Sequence, residues 1–258
     1  LNAILEWWQR EQNTFKQKAY QPEFFGNDIR NRINLVLKVI FTCALGKETL
    51  AETDACELSD FLNEVNHLHQ LIPYCYPVYA YLNRESQQVY WNKLRVALWH
   101  SDADVANETL NACWRWQSSS DRLGLAPMPH GVFESLVMTI GNLHGWLSCH
   151  ACNVISRLIA EDYLRNEDYD LDQLADAVES AALNLGYDQE AHETFVRAGL
   201  DEEMHVHHRR HLANLLALMR KKEIPVGLAA DKWLHQAKED RFCDVRYVAN
   251  SAEEITPN

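Results

Sequence analysis

Apolar side chains recur along this chain at intervals of three and four residues almost from end to end, the spacing that gathers them on one face of an α-helix. Leu1, Ile4, Leu5, Trp8, Phe15 and Ala19 form one stripe, which stops at Pro22 and Gly26. Ile29, Ile33, Val36, Leu37, Ile40 and Ala44 form the next, with Asn27 or Asp28 as its cap and Gly46 just past its end. Asp54 caps a third, running through Leu58, Leu62, Val65, Leu68 and Ile72 to Pro73. Residues 73–86, with two Pro and four Tyr, are expected to be irregular or a short helix. Val89, Leu94, Ala97 and Leu98 lead to a break at Ser101 and Asp102, and Val105, Ala106, Leu110, Cys113 and Trp116 follow. The stretch 117–131 is the richest in breakers and is expected to be a long surface loop or an internal boundary.

The second half repeats the style. Phe133, Leu136, Val137 and Ile140 predict one helix, and Leu147, Ala151, Val154, Ile155, Leu158 and Ile159 another. Asp170 with Gln173 resembles a capping box that opens Leu171, Leu174, Val178, Ala182 and Leu185. A short helix is expected around Ala191, Phe195 and Val196, a long one from Asp201 to Lys222, another from Pro225 to Lys238, and a last one near Asp244. The total is about eleven or twelve helices, and no run alternates with a period of two. The fold class is all-α, with short polar turns joining successive helices into antiparallel hairpins.

Two turns share a texture. The stretch from Ala97 through Asp102 and Val105 to Cys113, in which an Ala-Leu helix end meets an Asp-bearing turn and a Val opens the next helix, resembles the HEAT/armadillo repeat. The stretch from Ala237 through Asp240 to Val245 and Arg246 is similar. The resemblance implies an α-solenoid, a stack of helical hairpins, built as a single helical-repeat domain over residues 1–258. A compact irregular helical bundle is the alternative arrangement. Residue 1 is Leu, and the chain is read as a piece of something longer.

Composition narrows the chemistry. A net charge of −13 opposes phosphate, so nucleic acid is disfavoured as a partner. From Glu161 to Glu203 there are fourteen acids against two bases, so the remainder is close to neutral. No apolar run is long enough for a membrane span. Seven Cys, an odd number lying mostly in helical stripes, read as thiols packed in a reducing compartment, which points to the cytoplasm.

Several groups of residues are chemically capable. Glu203, His207 and His211 are spaced by four and climb one side of a helix, a ladder that could converge on Zn²⁺, while His208 and His211 fall beside the apolar stripe. Glu-x-x-His occurs at Glu64/His67 and Glu202/His205, as in di-iron bundles, but with 21 Glu and 12 His such pairs arise by chance. Arg95 and His100 form an Arg-x4-His similar to the signature of HEPN-type ribonucleases, which implies action on a scissile phosphate and its 2′-hydroxyl. Cys149-His150-Ala151-Cys152 reads as core packing, because a redox Cys-x-x-Cys normally opens a helix after a strand. Aromatics crowd between Tyr74 and Trp116, as core filler or as a stacking surface. Residues 204–222 are free of acid, and Arg209, Arg210, Arg220 and Lys221 are the candidate partner-binding cations, with Arg209 and Arg220 expected on the solvent side. No phosphate-binding glycine loop and no His-Glu-x-x-His motif occurs.

The expectation is a non-enzymatic scaffold or recognition module without a cofactor, engaging a protein partner or adjoining domains of the same polypeptide. A metal-dependent helical enzyme or a HEPN-like ribonuclease is the alternative.

Overall fold

The computed structural model describes residues 72–141, 145–164, 168–186 and 202–251, together with Glu6, Arg10, Thr53 and Cys56. The three helices expected before Pro73, apart from those isolated positions and Ile72, and the short helix around Ala191, Phe195 and Val196 lie outside the described residues. Every regular element among the described residues is helical, and none is a strand. A 3-10 turn, Ile72–Tyr74, is followed by α1 (Tyr76–Tyr79), α2 (Arg84–Ala97), α3 (Ala103–Leu123), α4 (His130–Ile140) and α5 (Gly145–Ala160). Then come α6 (Leu171–Asn184), α7 (Glu202–Lys221), α8 (Leu228–Ala237) and α9 (Cys243–Asn250). No helix among the described residues is long and apolar enough to cross a membrane. The chain divides into two compact units, Leu1–Pro129 and His130–Asn258.

In the first unit, the side chain of Asn83 opens α2 by accepting from Ser86 N, and Asp102 opens α3 by accepting from Asp104 N. Leu94, Ala97 and Leu98 are buried as their spacing predicts, but Val89 is 48% exposed, and Tyr90 and Trp91 fill the core in its place. The expected loop starts later than 117, because α3 runs on through three consecutive serines. Their hydroxyls turn inward on the helix itself: Ser118 and Ser119 donate to Arg115 O, and Ser120 donates to Gln117 O. Gly124, at φ 65°, then ends the helix in the left-handed region, with Leu125 N donating back to Ser120 O at 2.9 Å. The backbone beyond it is pinned from the core. Trp91 and Trp116 both donate their indole N–H to Ala126 O, while Ala126 N and Met128 N donate to the side-chain oxygens of Gln87 and Gln117. The aromatics that crowd this half of the sequence therefore hold a loop: Tyr90, Trp91 and Trp116 are fully buried, and the Tyr90 and Trp91 rings each lie against that of Trp116.

The α2–α3 and α8–α9 hairpins close with the same turn. Each first helix ends at an alanine, Ala97 or Ala237, and three backbone bonds repeat position for position. His100 N and Asp240 N donate to those alanines' carbonyls at 3.2 Å, and Ala106 N and Arg246 N to the carbonyls of Asp102 and Phe242 at 3.2 Å. Trp99 N and Glu239 N donate to Val96 O and Gln236 O, and Leu98 N is bound to Leu94 O on the first side alone at 3.0 Å. In both turns one side chain accepts the backbone N–H two residues on: His100 Nδ1 from Asp102 at 3.0 Å, Asp240 Oδ1 from Phe242 at 2.8 Å. Val105 and Val245 then plunge into their cores.

The second unit is organised in two layers. Helices α4, α6 and α8 pack in succession, as do α5, α7 and α9, and the two rows meet through α4–α5, α6–α7, α7–α8 and α8–α9. Within the second row, α5 and α7 run parallel. Trp146 lies against His207, Ser148 bonds to His208, and Asp162 pairs with Lys222, in matching order along both helices. The two also end alike, on residues in the left-handed region, Asp162 at φ 58° and Glu223 at φ 57°. In the other row, Glu179 of α6 places its carboxylate on the N-terminus of α8, accepting from Ala229 N at 2.8 Å and Ala230 N at 2.7 Å. That arrangement satisfies two of the amides a helix start leaves open and sets an anion at the positive end of the helix dipole. It also dictates glycine at 227, since a Cβ there would overlap the Glu179 carboxylate.

Gly227→Ala should push Glu179 off α8 and lower stability by about 1–3 kcal/mol, the cost of stranding partly buried donors. Glu179→Ala should cost a similar amount. Because both act on one contact, the double variant should lose little more than either alone, as read from urea unfolding midpoints.

Candidate functional site

The histidine-rich segment forms α7, with bases in its last turn, Arg220 and Lys221, where they complement the negative end of the helix. Its apolar face, Leu212, Leu215, Leu216 and Met219, is buried. His208 shares that burial. Its Nε2 lies 2.9 Å from Ser148 Oγ, and that hydroxyl gives its single proton to Ile140 O at 2.7 Å. His208 Nε2 must therefore carry the hydrogen and donate to Ser148.

Arg209 overturns an expectation. Instead of facing solvent it is 7% exposed, and its guanidinium grips Asp240, itself 3% exposed. Nε reaches Oδ2 at 2.8 Å and an Nη reaches Oδ1 at 3.2 Å. The pair draws in the α8–α9 turn, whose Phe242 ring also lies against the guanidinium at 5.7 Å. The physical reason is partner geometry. At 100° per residue, Arg209 lies beside Leu212, Ala213 and Leu216, and the acid that makes its burial tolerable comes from a turn 31 residues away. Arg220 is half-buried and ion-paired with Asp231 of α8. Of the four candidate cations, Arg210 and Lys221 are exposed.

The remaining side of α7 faces α5. His207, His211, Asn214 and Leu218 make a half-buried stripe, and on α5 the matching stripe is Trp146, His150, Asn153 and Arg157. The contact between the Trp146 and His207 rings, with centroids 5.5 Å apart, sets the stripes side by side. Trp146 is 50% exposed. Burial first, and then the charge of Arg157, lowers the pKa of His150. His211 is held down to about 4, by burial first and then by Arg210, His207 and His150. Trp146 and Arg157 escaped the sequence reading, which took His150 only as part of a packed Cys149–Cys152 segment. Their i, i+4 and i+11 spacing was visible, but only the parallel pairing of two helices distant in sequence joins this stripe to that of His207 and His211.

Other candidates are placed elsewhere. The side chain of Glu203 lies outside the described residues, as do Glu64, His67 and the side chains of Glu202 and His205. Among the described residues no three His, Cys, Asp or Glu side chains are grouped so as to hold a metal ion. Arg95 is exposed on α2, and one ring nitrogen of His100 is taken up in closing the turn, the task Asp240 performs in the other hairpin. Cys149 and Cys152 are buried, and burial raises both thiols, Cys149 to about 12. Neither is poised to be a thiolate at neutral pH. No protein-family model matches the chain, and no curated protein does.

Removing one member of the buried pair, as in Asp240→Ala, should cost about 3–5 kcal/mol, because it strands a charge in the core. Arg209→Met with Asp240→Leu should cost less than that single change, by the same unfolding measurement. Acid should act through His211. The unfolded imidazole takes its proton near pH 6.5, whereas the folded one waits until about 4. Its contribution is complete above about pH 6.5 and is lost as the pH falls toward 4. His211→Gln should flatten the dependence of the urea midpoint on pH within that window.

Proposed function

We propose that the chain is a non-enzymatic recognition module of stacked helical hairpins, an α-solenoid serving a larger cytoplasmic protein by binding protein partners or adjoining domains. The observation that carries this reading is the hairpin turn at Ala97–Ala106 and Ala237–Arg246, which share three backbone bonds and a side-chain acceptor at matching positions. The two-row packing of the second unit, with α5 and α7 parallel in one row, supports it further. A unit that repeats in this way leaves long continuous faces for docking. The side chains most suggestive of catalysis serve structural ends: His100 closes a turn, His208 bonds Ser148, and the Cys149 and Cys152 thiols are packed as small apolar groups. A net charge of −13 favours proteins over nucleic acids as partners.

In-cell cross-linking should capture a stoichiometric protein complex that survives gel filtration. X-ray scattering should give a radius of gyration well above the roughly 18 Å of a rounded chain of this length. Hydrolysis of single-stranded RNA that disappears in Arg95→Ala would overturn the non-enzymatic reading, and a radius near that compact value would overturn the stacked arrangement.

A further inference from the structure

The solvent-facing side of the α5–α7 pair is unlike the rest of this acidic chain. Neither α5 nor residues 204–222 contain a single acid, although the chain as a whole carries a net charge of −13. The parallel register brings His150 of α5 beside His207 and His211 of α7, with Arg157 two turns further along the same stripe, level with Leu218. Arg210 stands exposed next to them, and Trp146, half open to solvent, forms the end of the row. Imidazoles and guanidiniums are donors matched to carboxylates, and a half-exposed indole is the kind of anchor that accepts an apolar side chain.

We propose that this two-helix face seats an acidic, apolar-punctuated segment of a partner protein. Carboxylates lie against Arg157, Arg210 and the imidazoles, and an apolar side chain packs on Trp146. The assignment deepens the recognition-module reading and rests on it. A protein segment suits the face better than a nucleic-acid strand, because two guanidiniums and a few imidazoles are too short a cluster for a continuous line of phosphates, and the indole offers an apolar anchor. Burial among cations keeps His211 neutral until a carboxylate approaches, so occupation itself should raise its protonation.

The test is fluorescence anisotropy with the whole chain and a short fluorescein-labelled peptide of glutamates interrupted by phenylalanine. A lysine version of that peptide and a uridine oligoribonucleotide of equal length serve as comparisons. The glutamate peptide should bind at least about tenfold more tightly than either, and more weakly as salt rises. Arg210→Glu, at an exposed position, should weaken it by about tenfold, and Arg157→Glu with Arg210→Glu should abolish it, with helix content by circular dichroism unchanged. Trp146→Ala should weaken it several-fold without altering the salt dependence, whereas Lys232→Glu, on exposed α8 surface, should leave it unchanged. Equal binding of the lysine peptide, or wild-type affinity in Arg210→Glu and in the double variant, would overturn the assignment. So would tighter binding of the oligoribonucleotide, or self-association lost in the double variant without peptide binding, which would point to a second copy. A cellular partner whose binding ignores both charge reversals would remove this face and leave the module reading standing, whereas RNA turnover lost in Arg95→Ala would remove the module itself.

Discussion

A guanidinium is tolerated inside a helical core only when a carboxylate meets it there, and the second unit is arranged around one such meeting. Arg209 comes from the middle of α7 and Asp240 from the turn between α8 and α9, so the pair fixes where that hairpin sits on the long helix. Asp240 has further duties. It accepts from Phe242 N to shape its own turn, and its carbonyl receives Arg246. One side chain thus sets the local bend and the tertiary register together. Much of the chemistry nearby follows. With Arg209 turned inward, His207 and His211 are left on the flank that faces α5, and Arg210 is left in water.

Helices were legible in the sequence because the period of their apolar positions is a local property. The stripes of α3 and α6 are buried where the spacing places them, and so is that of α2 from Leu94 onward, though Val89 is exposed. Ends were harder, and for an identifiable reason. Three serines in a row read as a breaker, yet each hydroxyl finds a carbonyl within its own helix, so α3 continues to Leu123. The real stop is Gly124, whose left-handed backbone needs no side-chain contact to be inferred.

Positions that depend on long-range pairing were legible only in part. The apolar angle placed His208 inside correctly, because its burial follows from its own helix. The expectation of a solvent-facing Arg209 failed although its angle sets it beside Leu212, since its burial depends on an acid in another hairpin. The pairing of Trp146 and His150 with α7 was out of view, since a face shared by two helices is a property of their register. The likeness between the two turns was visible as sequence texture at Asp102 and Asp240, but aligning the bonds shows that Asp240 corresponds to His100, with Asp102 two residues on. What recurs is an acceptor at a fixed place in the backbone, and more than one residue type can supply it.

The ends of α5 and α7 carry a related lesson about composition. Asp162 and Glu223 occupy left-handed backbone positions that glycine fills after α3, at a steric cost of roughly 1 kcal/mol each. A chain that lets acids serve as helix terminators uses fewer glycines than it has reversals, so a scarcity of glycine here undercounts its corners. A glycine at 223 would release backbone strain, whereas a glycine at 162 would also remove the carboxylate that pairs with Lys222 between α5 and α7.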